Sequence, residues 1–169
     1  MAISMYQVTV PTFTRILTSM DAILGKAAAY AQAKKIDDSV LVNARLYPDM
    51  LPLSSQVQIA SDFARGTCAR LAGMETPPFE DNETTLAALR TRIERSLEYV
   101  RTFKPEQIDG SETREIVRPL RGEPKKFTGQ NYLVQFALPN FYFHATTTYA
   151  ILRHNGVEVG KSDFIGSLD

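Results

Sequence analysis

Apolar residues recur at three- and four-residue steps in four long segments, each with a polar opposite side. This is the pattern of amphipathic helices packed on a common core. The first stripe, Phe13, Ile16, Leu17, Met20, Ile23, Leu24, Ala27 and Ala31, predicts a helix over residues 11–33. Pro11 is placed in its opening turn, where proline is tolerated, and Tyr6 and Val8 are assigned to a possible earlier turn of the same helix. The second stripe, Leu53, Val57, Ala60, Ala64, Cys68 and Leu71, predicts a helix over 53–71 with Gln58, Asp62, Arg65 and Ala69 on its other side and Gly73 as its stop. The third, Leu86, Leu89, Ile93, Leu97 and Val100, predicts a helix over 83–103 capped by Asn82. Arg90, Arg95 and Arg101 alternate there with Glu94 and Glu98, as on a solvated face. The fourth, Leu133, Ala137, Phe141, His144, Thr148 and Ile151, predicts a helix over 130–154 ending at Asn155-Gly156. Pro139 inside it predicts a kink near Leu138, or two consecutive helices.

Turn residues and prolines fill the intervals. Asp37-Asp38-Ser39 is placed to cap a short turn over Val40 and Leu41, and Pro48 and Pro52 stop any helix running through 36–53. Pro77-Pro78 enforces a loop. Residues 115–127 read as a hairpin with Gly122 in the turn and Pro119 confining it to an edge. Residues 157–169 read as coil against the bundle. Four helices with one short β insertion between the third and fourth define an all-α four-helix bundle, one domain over residues 1–169.

Charge and cysteine content narrow the function classes. Nineteen Lys+Arg balance nineteen Asp+Glu, so no global basic field recruits nucleic acid or an anionic membrane. The local cluster Arg118, Arg121, Lys125 and Lys126 is interrupted by Glu115 and Glu123 and reads as a solvated loop. Cys68 is the single cysteine, so the fold needs no intramolecular disulfide. It reads as a buried hydrophobe. No leader pattern opens the chain, and no apolar run reaches the roughly 18 to 20 residues that span a bilayer. The expectation is a cytoplasmic protein with no membrane and no nucleic-acid partner. Phosphate-loop, dinucleotide, H-E-x-x-H, C-x-x-C and G-x-S-x-G signatures are all absent.

The candidate chemistry lies in the fourth segment. Both histidines are here, and His144 falls on the apolar stripe. A polar ring on such a face needs a hydrogen-bond partner, a metal or a proton-transfer role. His154, beside Arg153 at a helix C-terminus, reads as a cap. Phe136, Phe141, Tyr142, Phe143 and Tyr149 are too dense to share one interior face, which points to packing on the β insertion or to a homodimer interface.

Arg45-Leu46-Tyr47-Pro48-Asp49-Met50, Pro52-Leu53-Ser54-Ser55-Gln56-Val57, Pro139-Asn140-Phe141-Tyr142-Phe143-His144, Leu152-Arg153-His154-Asn155-Gly156-Val157 and Gly160-Lys161-Ser162-Asp163-Phe164-Ile165-Gly166 resemble a bacterial family of unassigned activity within the DinB/YfiT-like superfamily. The resemblance covers nearly the whole chain and implies a DinB-like four-helix bundle, often dimeric. Many members of that superfamily hold nickel or zinc with one histidine near the start of the second helix and two on the last helix, four residues apart. Some act as thiol-dependent transferases or isomerases. Here His144 matches one histidine of the last helix, but Thr148 stands four residues on, and Asp49, Met50, Ser55 and Gln56 stand near the second helix. His154 lies about 15 Å beyond His144 along a straight helix, too far to share an ion.

These observations define a pocket candidate of Arg45, Asp49, Gln56, His144 and Tyr149, in which Asp49 would orient the His144 ring and Arg45 would pair with Asp49 or read an anion. The expected protein is a DinB-like bundle with a degenerate metal site that binds a small molecule near His144. The alternatives are a divalent-metal-dependent enzyme, hydrolase or thiol-dependent transferase, with His144 as a metal ligand, and a non-enzymatic dimeric scaffold. The incomplete triad favours no cofactor over nickel or zinc.

Overall fold

The computed structural model describes residues 3–120 and 122–167. Helix α1 (Met5–Lys34) opens the chain, followed by the short α2 (Asp38–Val42), then α3 (Leu53–Leu71), α4 (Leu86–Arg101) and the single turn α5 (Pro105–Ile108). A hairpin of β1 (Glu115–Leu120) and β2 (Glu123–Thr128) leads into the turn α6 (Gly129–Asn131), a π-helical stretch Tyr132–Ala137, α7 (Leu138–His154) and α8 (Lys161–Ile165). The four long elements close a ring in which α1 packs on α4, α4 on α3, α3 on α7 and α7 on α1. The architecture is thus the expected helical bundle with a hairpin before the last helix. Among the described residues no helix is long and apolar enough to cross a membrane.

The stripes become the core. Phe13, Leu17, Leu24, Ala27, Leu53, Val57, Leu89, Ile93, Phe141 and Ile151 are all buried. Phe13 of α1 meets Phe141 of α7 edge to face at 4.7 Å, a favoured aromatic geometry at the centre of the bundle. Cys68 is also buried, and burial pushes its thiol well above the usual range, so it stays protonated.

Helix α1 includes the earlier turn at Tyr6 and Val8, and helix α4 starts later than predicted, for a common reason. Helix α1 begins six residues before Pro11, because Ser4 and Gln7 close a capping box: Ser4 Oγ accepts from the Gln7 amide, and Gln7 Oε1 from the Ser4 amide. Pro11 is then carried inside the helix on an exposed face. Helix α4 begins at Leu86, where Thr85 caps the Ala88 amide at 3.1 Å and the Asp38 carboxylate accepts from the Leu86 amide at 2.9 Å. Asn82 is left in the preceding loop, bonded to Glu80. In each case the turn that satisfies the orphan amides sets the boundary.

The fourth helix breaks where Pro139 requires it. With no amide hydrogen on Pro139, the preceding turn widens into the π-helical stretch, in which the Leu138 amide reaches back to Leu133. The hairpin has Pro119 facing Pro124, with Gly122 at φ +87° in its turn. Arg121 of the predicted basic cluster lies outside the described residues. Within the predicted C-terminal coil, Lys161–Ile165 instead form α8, which lays Phe164 against Tyr149 at 6.0 Å.

Candidate functional site

Helices α3 and α7 run antiparallel, and three contacts give their register. Gln56 meets His144, Phe63 meets Phe136 at 5.8 Å, and Arg70 meets the Tyr132 hydroxyl at 3.2 Å. Gln56, Phe63 and Arg70 recur every seven residues on one side of α3, so the seam is a heptad-spaced line. His144 sits at one end of it.

Gln56 is buried, and its amide bridges the loop before α3 to α7. Its Nε2 donates to the Leu51 carbonyl at 3.1 Å, which orients Oε1 toward His144 Nδ1 at 2.7 Å. An amide oxygen only accepts, so Nδ1 carries the proton in that bond and the neutral ring presents its lone pair at Nε2. Burial lowers the His144 pKa from its ordinary value, which keeps the ring neutral near pH 7. The Phe63 ring lies nearly parallel to the imidazole at 6.3 Å, and Phe143 stands edge-on at 5.2 Å. The ring is half-buried, with Nδ1 tied to the bundle. The loop that supplies Leu51 O is itself pinned, because Arg45 donates to the Met50 carbonyl and the Leu53 amide donates to Ala44 at 2.9 Å.

Of the five sequence candidates, Gln56 and His144 are in contact. Arg45 reaches Met50 rather than Asp49, and Asp49 is exposed with no ion pair among the described residues. Asp49 therefore does not orient the imidazole; Gln56 does. Tyr149 is turned toward Phe164 on α8. Five residues separate it from His144, about 140° around a helix, so the two point apart. His154 is exposed at the end of α7.

The donor set does not fit the three-ligand metal centre that the superfamily implies. The Thr148 hydroxyl is spent on the His144 carbonyl at 3.0 Å, and Gln56 Oε1 is taken by Nδ1. Among the described residues no group of three or more His, Cys, Asp or Glu side chains is arranged to hold a metal ion.

A second polar assembly lies further along α3, where the sequence placed Asp62 and Arg65 on the polar side of the helix. Arg65 is buried on α3, and Arg92 is buried on α4. The loop containing Pro77 and Pro78 folds back over both. Arg65 donates to Pro77 O at 2.6 Å and to Asp62 at 2.5 Å. Arg92 donates to Glu80 O, Glu83 and Asp62 at 2.9–3.0 Å and forms an ion pair with Asp81 at 2.9 Å. Phe79 is stacked between guanidinium groups, with Arg65 at 3.5 Å and Arg95 at 4.1 Å from its ring centroid. Burial alone would raise the Glu83 pKa, but hydrogen bonds from Gln58 and Arg92 hold it below the ordinary carboxylate value. Arg92 lies beside the α4 stripe between Leu89 and Ile93, a position that looks the same for a buried and a solvated side chain. The loop that covers it has no periodicity.

Bundle, hairpin insertion and helix seam together define a DinB-like helical protein. The chain matches the family described as Domain of unknown function (DUF1993) over residues 5–165, and it belongs to that family. A solved structure described as a DinB family member protein from Shewanella denitrificans is similar to it, with 45% identity and a TM-score of 0.91 over 96% of this chain and 92% of that one. No curated protein matches the chain.

Proposed function

We propose that this DinB-like protein binds a small molecule at His144 without a resident metal, with the neutral Nε2 as hydrogen-bond acceptor or proton acceptor. The observation that carries the reading is the 2.7 Å bond from Nδ1 to Gln56 Oε1, which fixes the ring and its tautomer from the buried side. A preorganised imidazole with a lowered pKa is suited to accept a proton near neutrality. A metal would need further ligands that the seam does not supply. A homodimer, cytoplasmic in location, is the assembly we favour, burying Tyr142 and Phe143, which are 39% and 56% exposed.

Elemental analysis of protein purified without a histidine tag tests the metal-free part, with His144→Ala as control. Near-zero nickel and zinc in both samples is the expected result. About one ion per chain that disappears in the variant would overturn it. Diethylpyrocarbonate tests the acceptor: it should acylate His144 at neutral pH, and a His144 left unmodified while His154 reacts would remove Nε2 as an available group.

A further inference from the structure

A cavity of about 380 Å³ opens beside the seam, between α3, the loop carrying Pro77 and Pro78, and β1. Three arginines line it, Arg65, Arg70 and Arg118, against one carboxylate, Asp62. That carboxylate is already engaged by Arg65 and Arg92. Among the described residues, Arg70 bonds only the Tyr132 hydroxyl and Arg118 makes no ion pair. The Nε–H groups of Arg65 and Arg118 are buried and find no acceptor among the described residues. Arg65 is itself almost wholly buried, its side chain 2% exposed. A buried guanidinium donor without an acceptor is costly, and a positive cluster in a desolvated wall attracts an anion strongly. Burial lowers the Arg118 pKa, and the neighbouring Arg70 charge adds to this, as in a site lacking its counter-charge. Gly66 leaves room for the Arg70 guanidinium to lie against α3, where a methyl group would collide with it. Apart from Thr76, the rest of the wall is apolar: Ile59, Phe63, Pro77, Pro78 and Phe79.

We propose that this cavity is an oxyanion-binding site, taking a small molecule with a phosphate or carboxylate group on Arg70 and Arg118 and an apolar body against Phe63 and Phe79. Guanidinium groups present paired N–H donors that match both anions. The volume suits a ligand of roughly one ring plus its anionic group. Arg118 belongs to the hairpin, so this site gives the β insertion a role in binding. Phe63 lines the cavity and also stacks on His144, but the site rests on its own arginines and not on the reading of the imidazole.

Titration calorimetry with phenyl phosphate, benzoate and the neutral benzamide tests the proposal on the full chain. At least one anion should bind while benzamide does not, and the tighter anion identifies the headgroup. Arg118→Gln should weaken that binding about ten-fold or more, as expected for loss of a charge-assisted contact. Lys161→Gln, exposed on α8 and outside the cavity lining, should leave it unchanged. Retained helix content in Arg118→Gln would separate lost binding from lost folding, and Arg70→Gln gives a second variant if the first fails to fold. Binding of neither anion at about 10 mM, equal binding of benzamide, or affinity unchanged in a folded Arg118→Gln would overturn the proposal.

Discussion

Replacing Gln56 by leucine isolates the contact on which the His144 reading stands. Leucine keeps most of the buried volume, so the cavity contribution is small. Two side-chain hydrogen bonds are lost, one to the Leu51 carbonyl and one from His144 Nδ1. Each is worth about 1 kcal/mol net, and the partners are only partly shielded from water, which limits the further cost of orphaning them. The expected loss is about 2 kcal/mol, or roughly 4–8 °C in Tm for a chain of this size. Urea unfolding measures that value. The more specific readout is the tautomer, by long-range ¹H–¹⁵N correlation of the imidazole. The native protein should show the proton on Nδ1, and Gln56→Leu should shift population toward Nε2–H because the acceptor is gone. Gln56→Glu should keep the Nδ1 proton and raise the His144 pKa, since a carboxylate stabilises the charged ring. Native protein with the proton on Nε2, or a tautomer unaffected by Gln56→Leu, would refute the reasoning.

Three further outcomes follow from the same geometry. Arg92→Met should destabilise by about 3 kcal/mol, chiefly because the nearly buried Glu83 loses its partner, while Asp62 and Asp81 are about half exposed and contribute little. Adding Glu83→Gln should restore at least half of that loss in urea titrations; no restoration would mean the cost lies elsewhere. Because the folded His144 pKa lies below its unfolded value of 6.5, the unfolded chain takes up protons first, so stability should be full above about pH 6.5 and fall as pH drops toward the folded pKa. His144→Gln should lack that component in a pH series. Tyr142→Glu should convert the proposed dimer to monomer by light scattering without altering helix content; unchanged mass would place the interface elsewhere.

The elements that were legible are those whose stripe and stop signals agree. Helix α3 runs from Leu53 to Leu71 as the pattern predicts, because Pro52 and Gly73 bracket a stripe whose core positions are all buried. The start of α4 was not legible, since the Thr85 cap outweighed Asn82, whereas the early turn of α1 at Tyr6 and Val8 was legible and only the Ser4 cap that fixes it was not. His144 stood out because a lone polar residue on an apolar stripe breaks a regular pattern. Its partner was within reach as well, since Gln56 lies in the first turn of α3. Arg65 and Arg92 were hidden for the opposite reason. A long side chain on the edge of a stripe looks the same whether it reaches solvent or is roofed by a loop. The roof here comes from Pro77, Phe79 and Glu83, which follow no period. A trace of the seam was nonetheless present: Gln56, Phe63 and Arg70 repeat at seven residues, a spacing that the stripe of Leu53, Val57, Ala60 and Ala64 masked. That line joins the imidazole at one end to the arginine cavity at the other, and Phe63 touches both. The line of Gln56, Phe63 and Arg70, flanking the core stripe of α3, is therefore the one that arranges both candidate sites.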